Sequence, residues 1–176
     1  MHAISLQGSA MKRKGFTLIE LMVVIVILSI LSAVAVPKLF GMMAKSKASE
    51  LGPAAKTYLK LLDTYIGENH QIGSWTLIGY VAPGSKVSTD SSKTNNFGYG
   101  GGNLKGHGRG GSSVINASTG STVGWIATSL VALDDVAINS SWTIAVSISN
   151  SGDVRYSASI PPNAGALTPN FPRLGL

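Results

Sequence analysis

The chain has 176 residues, of which 12% are charged and 44% hydrophobic, against about 25% charged in ordinary soluble domains. That profile excludes a disordered chain, and the absence of cysteine excludes disulfide staples, thiolate metal sites and cysteine nucleophiles. The net charge of +6 comes from 14 basic and 8 acidic side chains, and its meaning depends on where the excess lies.

Residues 1–10 carry no Asp, Glu, Lys or Arg. Lys12, Arg13 and Lys14 follow, then Gly15, then the run FTLIELMVVIVILSILSAVAV from Phe16 to Val36, in which Glu20 is the only charge. A helix of this length spans roughly 31 Å at about 1.5 Å per residue, the thickness of a bilayer's hydrocarbon core. A domain this small has no core to surround so continuous an apolar run, so the segment reads as a membrane span. A secretory signal would show the same basic stretch and apolar run, with Ala33-Val34-Ala35 as a small-residue cleavage site. Glu20 fits that reading poorly, since a charge within a span costs on the order of 2.5–3.5 kcal/mol at the helix centre.

Basic residues, a glycine, a phenylalanine and a glutamate four residues later, ahead of an uninterrupted apolar stretch, resemble the leader and first helix of the type IV pilins and pseudopilins. The resemblance rests on Lys12-Arg13-Lys14-Gly15 and Phe16-Thr17-Leu18-Ile19-Glu20-Leu21 and extends to about Pro37. It implies a membrane-embedded prepilin peptidase that cuts between Gly15 and Phe16 on the cytoplasmic side and methylates the new amino group of Phe16. The apolar segment is then retained. The short leader of the family would begin at Met11, and Met11 rather than Met1 is the expected start.

Cleavage would place an α-amino group, mostly protonated at pH 7, four residues from the Glu20 carboxylate. A buried carboxylate is tolerable when paired. The resemblance implies that the partner is the amino terminus of a neighbouring subunit, so that Glu20 sets register during assembly; a pair within one chain is the alternative. It further implies a homo-oligomeric filament, an inner-membrane assembly platform, and membrane lipid as the environment before assembly. The expected location is the bacterial inner membrane, then the cell surface, or the periplasm for a pseudopilus.

Pro37 removes a helical hydrogen bond, and a kink is expected there. Leu51, Ala55, Tyr58, Leu62 and Tyr65 then recur at helical spacing with Lys56, Lys60 and Asp63 opposite, so an amphipathic helix continues the span. Gly52-Pro53 is expected to interrupt it and Gly67 to lie just past its end. The organisation expected is a leader at 1–15, a membrane and filament-core helix at 16–36, its amphipathic continuation at 37–67, and a β-rich domain at 68–176.

In that last region, residues 75–81, 123–133, 142–149 and 154–158 read as strands. The last two form a hairpin around Asn150-Ser151-Gly152-Asp153, with Trp142, Ile144, Val146 and Ile148 on one face. The fold class is therefore α+β: a long amino-terminal helix packed on a small antiparallel sheet, a layout drawn mainly from the pilin resemblance. Trp75, Trp125 and Trp142 read as core or sheet-edge residues.

Residues 95–111, NNFGYGGGNLKGHGRGG, read as a flexible exposed loop. They lack a phosphate-cradle spacing. Lys105, His107 and Arg109 with Phe97 and Tyr99 form only a sparse basic-aromatic tract, and no nucleic-acid partner is expected. Asp134-Asp135, with Asp90 and Asp153 elsewhere, reads as a solvated turn in preference to a calcium site. Asn116 and Asn139 begin glycosylation sequons. Nothing assembles a nucleophile with its base, so neither an enzyme nor a cofactor is expected. The proline-containing tail, 160–176, is expected to lie extended against the sheet.

Removal of Lys12, Arg13 and Lys14 leaves 11 basic against 8 acidic side chains. The basic balance is mostly a processing signal. The functional reading is a structural subunit of a type IV pilus, of the adhesion and motility class; a type II secretion pseudopilin and an unpolymerised membrane-anchored binding protein are the alternatives.

Overall fold

The computed structural model describes residues 15–69, 71–104, 121–149 and 153–175. By compactness the chain divides into two units, Met1–Leu39 and Phe40–Leu176. The first is helical from Leu18 onward, and its apolar side chains lie exposed around the whole circumference. This is the pattern of a segment whose solvent is lipid or other helices.

Helix α1 covers Leu18–Ala48 and helix α2 covers Leu51–Asn69. The interruption falls at Ser49 and Glu50, slightly before the expected Gly52-Pro53. The physical reason is that a proline ring collides with the carbonyl four residues earlier. For Pro53 that carbonyl belongs to Ser49, so the chain leaves the helix there and re-enters with Pro53 in the first turn of α2, where a missing N–H costs little. Gly67 lies inside α2, and the helix runs on to Asn69, whose side-chain amide donates to the Tyr65 carbonyl at 3.1 Å. Pro37 also lies inside α1.

The expected stripe of α2 is buried: Leu51, Ala55, Tyr58 and Leu62 are each fully enclosed, joined by Ala54, Leu59 and Ile66. Lys56, Lys60 and Asp63 are exposed. The stripe belongs to one core with the inner face of a six-stranded antiparallel sheet, β1(Ser85–Ser88), β2(Ser91–Lys93), β3(Phe97–Gly100), β4(Thr122–Ser129), β5(Ser141–Ile148) and β6(Val154–Ser159), in which each strand pairs with the next in sequence. The hairpin of β5 and β6 is as expected, with Trp142, Ile144 and Val146 all buried.

Two expectations about the sheet are corrected. Residues 75–78 form a short helix, α3(Trp75–Ile78), where a strand was expected. Trp75 and Ile78, three apart, are both buried; Leu77 N–H and Ile78 N–H donate to the Ser74 carbonyl at 3.0 and 3.1 Å. Gly79, at φ +70°, ends the turn in the left-handed region that glycine enters without strain. The expected glycine-rich loop begins too early: Phe97 and Tyr99 lie on β3, 0% and 3% exposed. They cannot serve as stacking platforms. Lys105, His107 and Arg109 lie outside the described residues.

The tail is also corrected. It folds as turns and a short 3-10 helix, Phe171–Arg173, that put Ala164, Leu167, Phe171 and Leu174 into the core. Trp142 Nε1 donates to Thr168 Oγ1 at 2.9 Å, and Thr168 Oγ1 donates onward to the Ala164 carbonyl at 3.2 Å.

A polar network holds this aromatic core in one arrangement. Trp75 Nε1 donates at 3.0 Å to the carbonyl of Gly124, which lies where the register of β4 against β5 shifts between Val123 and Trp125. A bulge of this kind frees a carbonyl from the ladder. Tyr80 Oη accepts from Trp125 Nε1 and donates to the Ala54 carbonyl, both at 3.1 Å. Glu50, in the gap between the two helices, accepts from Thr94 Oγ1 at 2.8 Å and from Tyr99 Oη at 2.9 Å. Burial pushes the Tyr80 phenol up to about 12 and raises that of Tyr99, where the neighbouring Glu50 carboxylate adds to the effect.

Tyr80→Phe strands the Trp125 N–H and the Ala54 carbonyl and is expected to cost about 1–3 kcal/mol. Tyr58 provides the contrast, because its buried hydroxyl has no hydrogen-bond partner among the described residues, so Tyr58→Phe should be neutral or stabilising. Urea unfolding of the detergent-solubilised chain, followed by tryptophan fluorescence, checks both; equal losses in the two variants would refute the network.

Candidate functional site

The amino end of α1 carries the residues on which the sequence reading turned. Lys12, Arg13 and Lys14 lie outside the described residues. Gly15 and Phe16 precede the helix without regular structure, and the Phe16 side chain is 92% exposed. The adjoining peptide is therefore not enclosed by the fold.

Glu20 stands in the first turn of α1, where the backbone N–H groups have no helical partners. Its Oε2 accepts from Thr17 N–H and from Thr17 Oγ1, each at 2.8 Å, while Glu20 N–H donates back to Thr17 Oγ1 at 3.3 Å. This reciprocal pattern is a capping box, with Thr17 as the cap and Glu20 three residues later. A carboxylate at this end also complements the positive pole of the helix. Sequence reading missed Thr17. Its signal was present, since Thr-x-x-Glu before an apolar run is the capping-box pattern.

Only Oε2 is taken up. Among the described residues Glu20 Oε1 accepts no hydrogen bond, and no hydrogen bond joins Phe16 to Glu20. The carboxylate is thus fixed in position by its own chain and retains one oxygen for a further donor.

Beyond Glu20 the helix has no charge until Lys38, and Ser29 Oγ donates to the Ile25 carbonyl at 2.7 Å. Pro37, also exposed, cannot donate to the carbonyl of Ala33.

Other candidate residues of the outer unit are dispersed. Asp90 is buried and receives a 3.4 Å hydrogen bond from Thr76 Oγ1, while Asp134 occupies an exposed turn at φ +54°. Among the described residues no group of three or more His, Asp or Glu side chains gathers to hold a metal ion. Asn139 is exposed in a turn at φ +67°, and Asn116 lies outside the described residues.

The family model that matches the chain is the prokaryotic N-terminal methylation motif, over residues 10–36. Its boundaries enclose Gly15, Phe16, Thr17 and Glu20. Among curated proteins the chain is similar to the type IV major pilin protein PilA of Myxococcus xanthus, 51% identical over 53 residues, which is 30% of this chain and 22% of that protein. It is also similar to the type IV major fimbrial protein FimA of Dichelobacter nodosus, 41% identical over 81 residues, covering 46% of this chain and 48% of the relative. A second FimA from that organism matches at 38% over 99 residues, 51% of this chain and 59% of the relative. The chain thus spans less than two thirds of the length of the curated relatives it matches. These relatives are pilins and fimbrial proteins, not enzymes.

The chain thus carries the prokaryotic N-terminal methylation motif ahead of an exposed apolar helix, in an α+β fold, and over part of its length it is similar to type IV major pilin and fimbrial proteins.

Proposed function

We propose that the chain is a structural subunit of a type IV pilus. A prepilin peptidase removes residues 1–15 by cutting between Gly15 and Phe16 and methylates Phe16, the leader's Lys12, Arg13 and Lys14 holding that end at the cytoplasmic face. Residues 16–36 anchor the subunit in the inner membrane and then become filament core, with 37–67 as the continuing helix and 68–176 as the outer domain. Pro37 lets the helix bend as it packs. The similarity to major pilins and fimbrial proteins favours a surface pilus over a secretion pseudopilus or a subunit that never polymerises.

The observation that carries this reading is the pairing of an apolar, fully exposed helix with one pre-positioned carboxylate. In lipid the helix is satisfied. Away from lipid it needs equivalent helices around it, and nothing within its own unit covers it. Glu20 then supplies the register: Oε2 is held by Thr17, and Oε1 faces an incoming cation. The Phe16 amino group of the next subunit is the natural donor, because it is created by the same cleavage and lies at the same end of an identical helix.

Two substitutions separate the capping role from the register role. Glu20→Gln keeps an oxygen that can accept from Thr17, so the helix cap survives while the charge is lost; Glu20→Ala loses both. Both variants should enter the membrane fraction at wild-type levels. Both should fail to yield sheared surface filaments, since removing one partner of a buried ion pair costs on the order of 3–5 kcal/mol. Normal filaments from Glu20→Gln would show that the charge does not set register. In the same assay the wild-type chain should be the main component of the filaments, and its absence from them would refute the pilus reading.

A further inference from the structure

On the outer unit a groove runs along α2 where the carboxyl-terminal tail crosses it. One part, a cavity of about 250 Å³, is lined by Gly52, Pro53, Leu167, Pro169 and Phe171, and is mainly apolar. It adjoins a more open part of about 480 Å³ lined by Lys56, Lys60 and Arg173 beside Asp63 and Tyr156. Lys56 and Leu174 line both. Asp63 is engaged by a short hydrogen bond from Tyr156 Oη, and among the described residues none of the three cations is ion-paired. The groove therefore presents an apolar floor at one end and, with three cations beside one carboxylate, a net positive charge at the other.

The chain carries a segment of the opposite character. Beyond α1, the large apolar side chains exposed among the described residues are Val81, Val87, Leu130 and Ile138. Val87 sits beside Lys86, whereas Leu130 and Ile138 flank the exposed carboxylates Asp134 and Asp135. This turn is tied by hydrogen bonds: Leu133 and Val136 exchange two 3.0 Å backbone hydrogen bonds, Asn139 N–H donates to the Ser129 carbonyl at 2.9 Å, and Ser129 Oγ donates to the Ala137 carbonyl at 3.1 Å. A pre-ordered turn loses little entropy on docking.

The knob and the groove lie at different levels of the helical chain. A Cβ at Gly41 would stand 3.3 Å from Asp134 Oδ2, while Lys56 and Lys60 follow 15 to 19 residues later, roughly 22–29 Å at about 1.5 Å per residue. A head-to-tail contact between unlike patches of identical chains generates a ring where its rotation closes and an open helical assembly where it does not, and the second is the geometry a filament needs.

We propose that residues 130–138 of one copy seat in the Lys56–Lys60–Arg173 groove of a second copy, with Asp134 and Asp135 against the cations and the flanking apolar side chains toward Pro53 and Phe171. The proposal rests on the pilus reading and adds to it the contact through which the outer domains meet. The two carboxylates of the turn balance the groove's net positive charge, and the pairing penalises a copy presented out of register.

Charge reversal in full-length subunits tests it. Lys60→Glu and Asp135→Lys, made singly, should each lower the yield of sheared surface filaments by at least about tenfold, since like charges would then face one another across the contact. Membrane levels of subunit should stay unchanged. The combined Lys60→Glu, Asp135→Lys variant should recover most of the yield. In wild-type filaments a zero-length carbodiimide should join Lys56 or Lys60 to Asp134 or Asp135 of another copy, read by mass spectrometry of the cross-linked peptides. Wild-type filaments that show no such cross-link, or single reversals that leave yield unchanged, would overturn this contact while leaving the pilus reading intact. A combined variant no better than either single one would overturn it also. Absence of the wild-type chain from filaments would remove both.

Discussion

A lone carboxylate at the head of a helix that is otherwise apolar on every side sets the terms for this protein. Glu20 is expensive to carry into hydrocarbon, and its own chain goes part of the way to accommodating it. The Thr17 backbone and hydroxyl groups bind one oxygen and fix the side chain in the first turn, while the positive end of the helix lies beneath it. The remaining oxygen accepts no hydrogen bond among the described residues. In the proposed assembly it is discharged by an amino group that exists only after the leader is removed, so processing and polymerisation are coupled by one ion pair.

The outer unit meets a different demand. It is held together without disulfides, since the chain has no cysteine. It does so with an aromatic core whose polar atoms are tied to one another across elements: Trp75 to the bulged Gly124, Trp125 through Tyr80 to Ala54 of α2, and Trp142 to Thr168 of the tail. Edge-to-face contacts of Tyr80 with Trp75 and Tyr58 add to this. The tail, folded into turns, adds Ala164, Leu167, Phe171 and Leu174 to that core. Glu50 anchors the helix interruption to the β2–β3 hairpin through Thr94 and Tyr99.

What could be read from the sequence depended on how local the cause was. The apolar run, the stripe of α2 and the alternation of β5 are periodic signals, and each appears where its period placed it. Residues 75–78 read as a strand because Trp and Ile favour strands, whereas their spacing of three and the Gly79 stop favour a helical turn, from which the Trp75 indole reaches the Gly124 carbonyl. β1 and β2 are not legible in the sequence because their Ser- and Lys-rich segments carry no apolar alternation. β3 was absorbed into a glycine tract, although Phe97 and Tyr99 two residues apart were its mark. At the amino terminus the sequence pointed to Gly15, Phe16 and Glu20. The role of Thr17 emerged from geometry, though a capping-box pattern had announced it. The groove on α2 depends on a tail whose fold no local pattern specified.

The central claim is that the apolar helix is retained after cleavage and enters the filament with Phe16 as its first residue. The most direct measurement is the intact mass and amino-terminal sequence of the subunit recovered from sheared surface filaments. The account predicts a chain that begins with N-methylated Phe16 and reads through Glu20 into the apolar run. A surface chain that begins after Ala35, or one that still carries Lys12, Arg13 and Lys14, would contradict it.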